Sequence, residues 1–163
     1  MKAISLTLLA MALIAIGSYG QTNRSKNKNN TSMQPAEIST GILKTLEAAW
    51  NNANGVDYAK SFADPTEFVD IRGTLHKNSS SAYIGEAHQG IFNSIYKDSK
   101  IVYQLTQAIA IDPDVILVQA SSVLDAPSGP LAGTNSSTIT LLLLKTNSEW
   151  KIRSFHNTLV AKK

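Results

Sequence analysis

The chain has 163 residues, with fifteen Lys and Arg against twelve Asp and Glu, and no Cys. Without a thiol there is no disulfide, no cysteine nucleophile and no cysteine to carry a lipid after a leader. Lys2, Arg24, Lys26 and Lys28 account for the positive balance, so residues 35–163 are close to neutral, which argues against a folded domain built to hold nucleic acid.

Lys2 precedes the uncharged, mostly apolar run Ile4 to Ile16, and Ser18 and Gly20 stand three and one residues before Gln21. That is the layout of a cleavable secretory signal. The run is too short to span a bilayer, which takes roughly 20 apolar residues. Residues 1–20 are expected to be removed, leaving an exported protein, periplasmic or extracellular, with no membrane attachment. Residues 21–34 hold a single apolar side chain, Met33. They are expected to form a disordered polar spacer. Residues 35–163 then make one domain, long enough for a single core.

Within that domain, Ile38, Ile42, Leu46, Ala49 and Ala53 recur at three- and four-residue spacing. They predict a helix from Pro35 to Ala53, flanked by Leu43 and Trp50. Gly55 is expected to supply its left-handed cap. A short helix is predicted over 56–62, with Asp57 in its first turn, where the helix dipole favours a carboxylate. Asp64-Pro65 breaks the chain. A strand is predicted over 66–71, with Phe68 and Asp70 on one face, then a polar turn around His76. A third helix is predicted over 81–96, with Ile84, His88, Ile91 and Ile95 in one stripe.

The period then changes to two. Residues 100–111 predict a strand with Ile101, Tyr103, Leu105, Ile109 and Ile111 on one face. Residues 115–124 predict a strand whose apolar first half would be covered on both sides. A Pro/Gly loop follows, then strands over 136–145 and 150–160. Helices followed by a run of antiparallel strands give an α+β fold.

This order of residues resembles the nuclear-transport-factor-like (SnoaL-like) superfamily. Within it the nearest group is the SgcJ/EcaC type. The residues that carry the resemblance are Trp50, Asp57, Phe68-Val69-Asp70, Gly73, His88 before Ile91-Phe92, Pro113-Asp114-Val115, and Trp150-Lys-Ile152 leading to Phe155-His156-Asn157-Thr158. It implies a cone, with a curved antiparallel sheet wrapped around a long N-terminal helix and an apolar pocket inside. Isomerases, cyclases, dehydratases, binding modules and assembly domains share the fold, so the resemblance leaves the activity open.

Asp70 and His88 are the candidate catalytic residues. Laid beside ketosteroid isomerase, to which this stretch is similar, Asp70 falls at the proton-shuttling aspartate. In an apolar cone its pKa would rise and let it act as a general base. The alternative is structural: Asp70 bonds the Arg72-Gly73 turn or pairs with Arg153. His88 would act as an acid or hydrogen bond to a ligand oxygen, or else be a satisfied core histidine. Trp50, Tyr58, Phe62, Phe68, Phe92 and Tyr103 are expected to line the pocket. His156 joins them if it shares an inward face with Trp150 and Ile152. The three histidines lack ligand spacing, so no metal is expected, and no cofactor-binding glycine loop is present.

Two classes of function remain. One is a binding domain for a small apolar or aromatic molecule. The other is a cofactor-independent isomerase, dehydratase or cyclase with Asp70 as base. An assembly role is a further option, because leucines on both faces of Leu141–Leu144 suggest a homodimer through the sheet.

Overall fold

The computed structural model describes residues 34–161. The expected leader and all of the spacer except Gln34 lie outside these residues. Three helices and six strands follow in the order α1 (Pro35–Asn51), α2 (Gly55–Ala59), β1 (Phe62–Val69), β2 (Leu75–Ser79), α3 (Ser81–Phe92), β3 (Lys100–Asp112), β4 (Val115–Ala126), β5 (Gly133–Thr146) and β6 (Glu149–Leu159).

Gln34 belongs to the first helix. Its backbone N–H donates to the Glu37 carboxylate at 3.1 Å, which satisfies one of the donors left free at a helix start. The buried stripe of α1 runs through Ile38, Leu43, Leu46, Ala49 and Trp50. It is therefore centred nearer Leu43 and Trp50 than the spacing of Ile42 and Ala53 suggested. Ala53, not Gly55, takes the left-handed conformation after the helix, with φ 51°. Asn54 caps α2, its Oδ1 accepting from the Asp57 N–H at 2.9 Å.

The strands form one curved sheet in the order β2-β1-β6-β5-β4-β3. Neighbours are antiparallel except β1 and β6, which run parallel. The inner face of β4 and β5 supplies the middle of the core through Ile116, Val118, Ala120, Ile139, Leu141 and Leu143. Helix α1 packs against β3: the Asn51 side chain bonds both backbone groups of Ile101, and Glu47 accepts from the Tyr103 N–H at 2.8 Å.

Two bulges reset which residues face inward. On β3 the pairing skips Thr106 between Leu105 and Gln107. One extra residue inverts the alternation beyond it. Ile109 and Ile111, expected inside, are therefore 42% and 61% exposed, and Ala108 turns inward instead. On β6 the pairing passes from Ile152 to Ser154 against consecutive leucines, so Arg153 is the extra residue. Phe155 and Asn157 then face the interior, and His156 is exposed.

Strand β2 replaces the expected polar turn around His76. The reversal is tighter and earlier: Asp70 to Gly73 is the turn, closed by Gly73 N–H to Asp70 C=O at 2.9 Å, with Gly73 at φ 81°. His76 consequently pairs with Phe68 across the hairpin.

Candidate functional site

Between the helices and the inner face of the sheet lies a cavity of about 620 Å³. Trp50 from α1, Tyr58 from α2, Phe68 from β1, His88 from α3, Tyr103 from β3 and Phe155 from β6 all line it. Asp70, Arg72 and His76 line it as well, at the β1–β2 hairpin. The walls are mainly rings. Tyr58 stacks on His88 with centroids 4.0 Å apart, and Phe68 stacks on Phe155 at 4.8 Å. Trp50 meets Phe92 edge-on at 5.1 Å and gives its indole N–H to Ser99 Oγ at 3.0 Å. Such offset and edge-on contacts suit the ring quadrupoles and add rigidity beyond area burial.

Three of the expected pocket residues lie elsewhere. Phe62 and Phe92 are core residues one layer behind the wall, Phe62 against Phe155 and Phe68, Phe92 against Trp50 and His88. His156 faces outward because of the Arg153 bulge. In its place the bulge delivers Asn157, whose Oδ1 is buried without a hydrogen-bond partner among the described residues. Ser122 and Ser137 add a pair of hydroxyls 2.7 Å apart on the sheet wall. Ser122 and Ser137 fall within the expected strands, but a serine carries no apolar signal of which face it takes, and Asn157 is hidden by the break in the β6 alternation.

His88 is almost wholly enclosed. Its Nδ1 lies 2.7 Å from the Ile84 carbonyl oxygen. A carbonyl only accepts, so Nδ1 carries the proton and Nε2 presents a lone pair. Burial lowers its pKa from 6.5 to about 4, with the Ile84 bond opposing part of the fall. His88 is thus neutral, bonded within its own helix as in the core-histidine alternative, with Nε2 left as an acceptor. Tyr58 stacks on it, and Tyr103 lines the same cavity. Burial pushes both phenols up, so both stay neutral.

The depressed pKa of His88 has a measurable consequence. An unfolded chain takes up this proton near pH 6.5, whereas the folded one resists it until about pH 4. Stability should be full above pH 6.5 and fall as the pH drops toward 4. The expected loss is roughly 3 kcal/mol. Urea midpoints for the wild type and His88→Leu between these limits test this. Equal slopes in the two proteins would remove His88 as the cause.

Asp70 makes the bond to the Arg72 turn given as its structural alternative and lacks the raised pKa of a base. Burial alone would raise its pKa, but bonds from the Arg72 guanidinium and from the Thr74 and Arg72 N–H groups lower it to about 2. Arg72 Nη2 stands 2.9 Å from Oδ2, and His76 Nε2 3.6 Å from the same oxygen. Arg153 is not its partner and pairs with Glu67 at 3.8 Å. A carboxylate held this way is a poor proton acceptor at neutral pH.

No family model matches this chain, and no curated protein does. Solved structures do. A domain with a cystatin-like fold from Nostoc punctiforme PCC 73102 is similar at 18% identity and TM-score 0.69, over 80% of this chain and 81% of that one. An NTF-2-like protein of unknown function from Shewanella oneidensis MR-1 gives 16% and 0.65, over 77% and 99%. A hexachlorocyclohexane dehydrochlorinase, LinA type 2, gives 7% and 0.66, over 76% and 84%. At these identities the likeness shows the fold alone. The domain has the cystatin-like, NTF-2-like architecture.

Proposed function

We propose that this chain is an exported domain that binds a small, mostly apolar or aromatic molecule in the cavity between helices and sheet. The observation that carries this reading is an aromatic chamber of about 620 Å³ whose deep polar group, His88, is neutral with its Nε2 free to accept a hydrogen bond. A pocket of that size, apolar with a few convergent polar groups, suits a drug-sized ligand. The ordered set from Trp50 to Phe155-His156-Asn157 supports assignment to the SgcJ/EcaC-type group within the SnoaL-like superfamily.

The cofactor-free enzyme remains a second reading, favoured by the lone pair on His88. A base at Asp70 is disfavoured by its pKa of about 2. Turnover would then run through His88 rather than Asp70.

The test uses 2-naphthol, an aromatic body with one O–H donor. At roughly 0.5 kcal/mol per non-hydrogen atom, binding near 0.1 mM is expected. It should be read by quenching of Trp50, and His88→Leu should weaken it about tenfold while leaving naphthalene unaffected. No binding at about 1 mM would sink the reading. Intact mass of the exported protein checks the leader: the mature chain should begin at Gln21.

A homodimer through the outer sheet face is part of the same proposal. Val102 opposite Val123, and Ile109, Leu117 and Leu142 in one row, form an apolar outer surface. Val102 and Val123 are 59% and 45% exposed in the single chain. Light scattering at tens of micromolar should give twice the chain mass, and Val102→Lys should halve it. A monomer in the wild type would refute the dimer.

A further inference from the structure

Among the residues that line the cavity, Arg72 is the one permanent cation and Asp70 the one acid. Both sit at the β1–β2 hairpin, and they are unequally used. Asp70 Oδ1 accepts from the Arg72 N–H at 2.9 Å and the Thr74 N–H at 3.0 Å. Its Oδ2 accepts from Arg72 Nε at 3.3 Å and Nη2 at 2.9 Å. The carboxylate is thereby engaged on both oxygens. Arg72 is not. A guanidinium has five N–H groups in a planar fork. Asp70 takes the edge formed by Nε and Nη2, which leaves the end edge, Nη1 with Nη2, open on a side chain that is 78% exposed. An exposed arginine ordinarily samples many rotamers. Here the turn that begins at Asp70 holds the guanidinium in one orientation before any ligand arrives, which lowers the ordering cost of using it.

Beyond the hairpin, where His76 Nε2 stands 3.6 Å from Asp70 Oδ2, the chamber has no charge to compete. His88 is neutral, and the remaining lining is apolar, aromatic, hydroxyl or amide. The Glu67–Arg153 ion pair involves no cavity-lining residue.

We propose that Arg72 is the anion receptor of this cavity and Asp70 its positioning residue, and that the ligand is an amphipathic carboxylic acid. Its apolar body occupies the aromatic chamber, and its carboxylate rests bidentate on the open Nη1–Nη2 edge of Arg72. This rests on the reading that the cavity binds a small molecule, and it adds the chemical class. It also gives Asp70 a role that does not require it to exchange a proton.

The test compares 2-naphthylacetate with the uncharged 2-(2-naphthyl)ethanol on the full mature chain at neutral pH and low salt. The acid should bind about tenfold tighter than the alcohol, and added salt should shrink the difference. Arg72→Gln should abolish the preference and leave the affinity for the alcohol unchanged. Asp70→Asn keeps an acceptor for the Arg72 and Thr74 N–H groups but loses the charge that holds the fork, so it should reduce the preference partway. Arg72→Lys should restore only part of it, because an ammonium cannot bind bidentately. Equal binding of acid and alcohol by the wild type would overturn this inference and leave the binding reading intact. Loss of both ligands together in Arg72→Gln would also overturn it, since that marks a structural arginine. Failure of both ligands to bind would remove the binding reading and this inference with it.

Discussion

Gly55→Ala should destabilise the domain by about 3 kcal/mol or more, although the same change in an exposed helix would stabilise it by up to about 1 kcal/mol. The sign is set by where the new methyl group would go. A Cβ on Gly55 would lie 2.2 Å from the Gly85 carbonyl oxygen and 2.7 Å from the Gln89 nitrogen. Both are backbone atoms of α3, and neither can rotate away. Helices α2 and α3 would have to part. That would strain the bond from the Gly55 N–H to Gln89 Oε1 at 3.0 Å, and would separate Tyr58 from His88, whose rings stack across this contact at 4.0 Å. The loss should therefore appear as a melting temperature lower by roughly 10 °C together with weaker binding in the cavity. A melting temperature at or above that of the wild type would mean that the helices do not approach this closely. Gly85→Ala is the milder comparison, its Cβ meeting Gly55 O at 3.0 Å and the Ala59 methyl at 3.1 Å.

Phe155→Ala should cost about 3–5 kcal/mol. Phe155 is buried, stacked nearly parallel on Phe68 at 4.8 Å and tilted against Phe62 at 6.0 Å. Because it forms a wall of an existing chamber, its removal opens the space in front of Phe62 instead of letting the core collapse. The variant should be less stable and should also admit bulkier aromatic probes than the wild type does. Phe155→Leu should recover much of the stability. The result separates two descriptions of β6. Under unbroken alternation with Trp150 and Ile152, His156 would be inside and Phe155→Ala would be a surface change worth no more than about 0.5 kcal/mol. Chemical denaturation of Phe155→Ala beside His156→Ala decides between them.

The difference between those two descriptions shows what the sequence could and could not convey. Period and composition located every helix and five of the six strands, because Ile38 to Trp50, Ile84 to Phe92 and the runs after Lys100 are patterned by burial. Strand β2 escaped because Leu75-His-Lys-Asn-Ser79 is an edge strand with no alternating apolar face, which is how exposed edges are kept from pairing with other chains. The bulges at Thr106 and Arg153 escaped because an extra residue changes every side chain beyond it and leaves no mark in composition. The residue type of Gly55 points to a cap, whereas its real cause is the approach of another helix, which only the tertiary structure contains.

For the candidate site, the residue types at Asp70 and His88 were legible, and so was their shared cavity. Their protonation was not. The pKa of Asp70 depends on an arginine two residues away that folds back through a turn, and the tautomer of His88 depends on a carbonyl one helical turn earlier. Both are matters of ångströms.

The parallel pairing of β1 with β6 has a consequence for the order in which the molecule can come into being. The β1–β2 hairpin and the β3–β4–β5 meander are each local, and each can begin to form from residues close in sequence. Within the sheet they are joined by β6, the last strand, in which Phe155 meets Phe68 on one side and Leu141 on the other. About ninety residues separate the paired segments, so closure is entropically late and sets a slow step. Without the final strand, Phe62, Phe68 and Leu141 would lose the cover that Ile152 and Phe155 give them. The chamber is consequently a property of the finished chain, and a chain that stops short of Phe155 would expose its greasiest surfaces to aggregation.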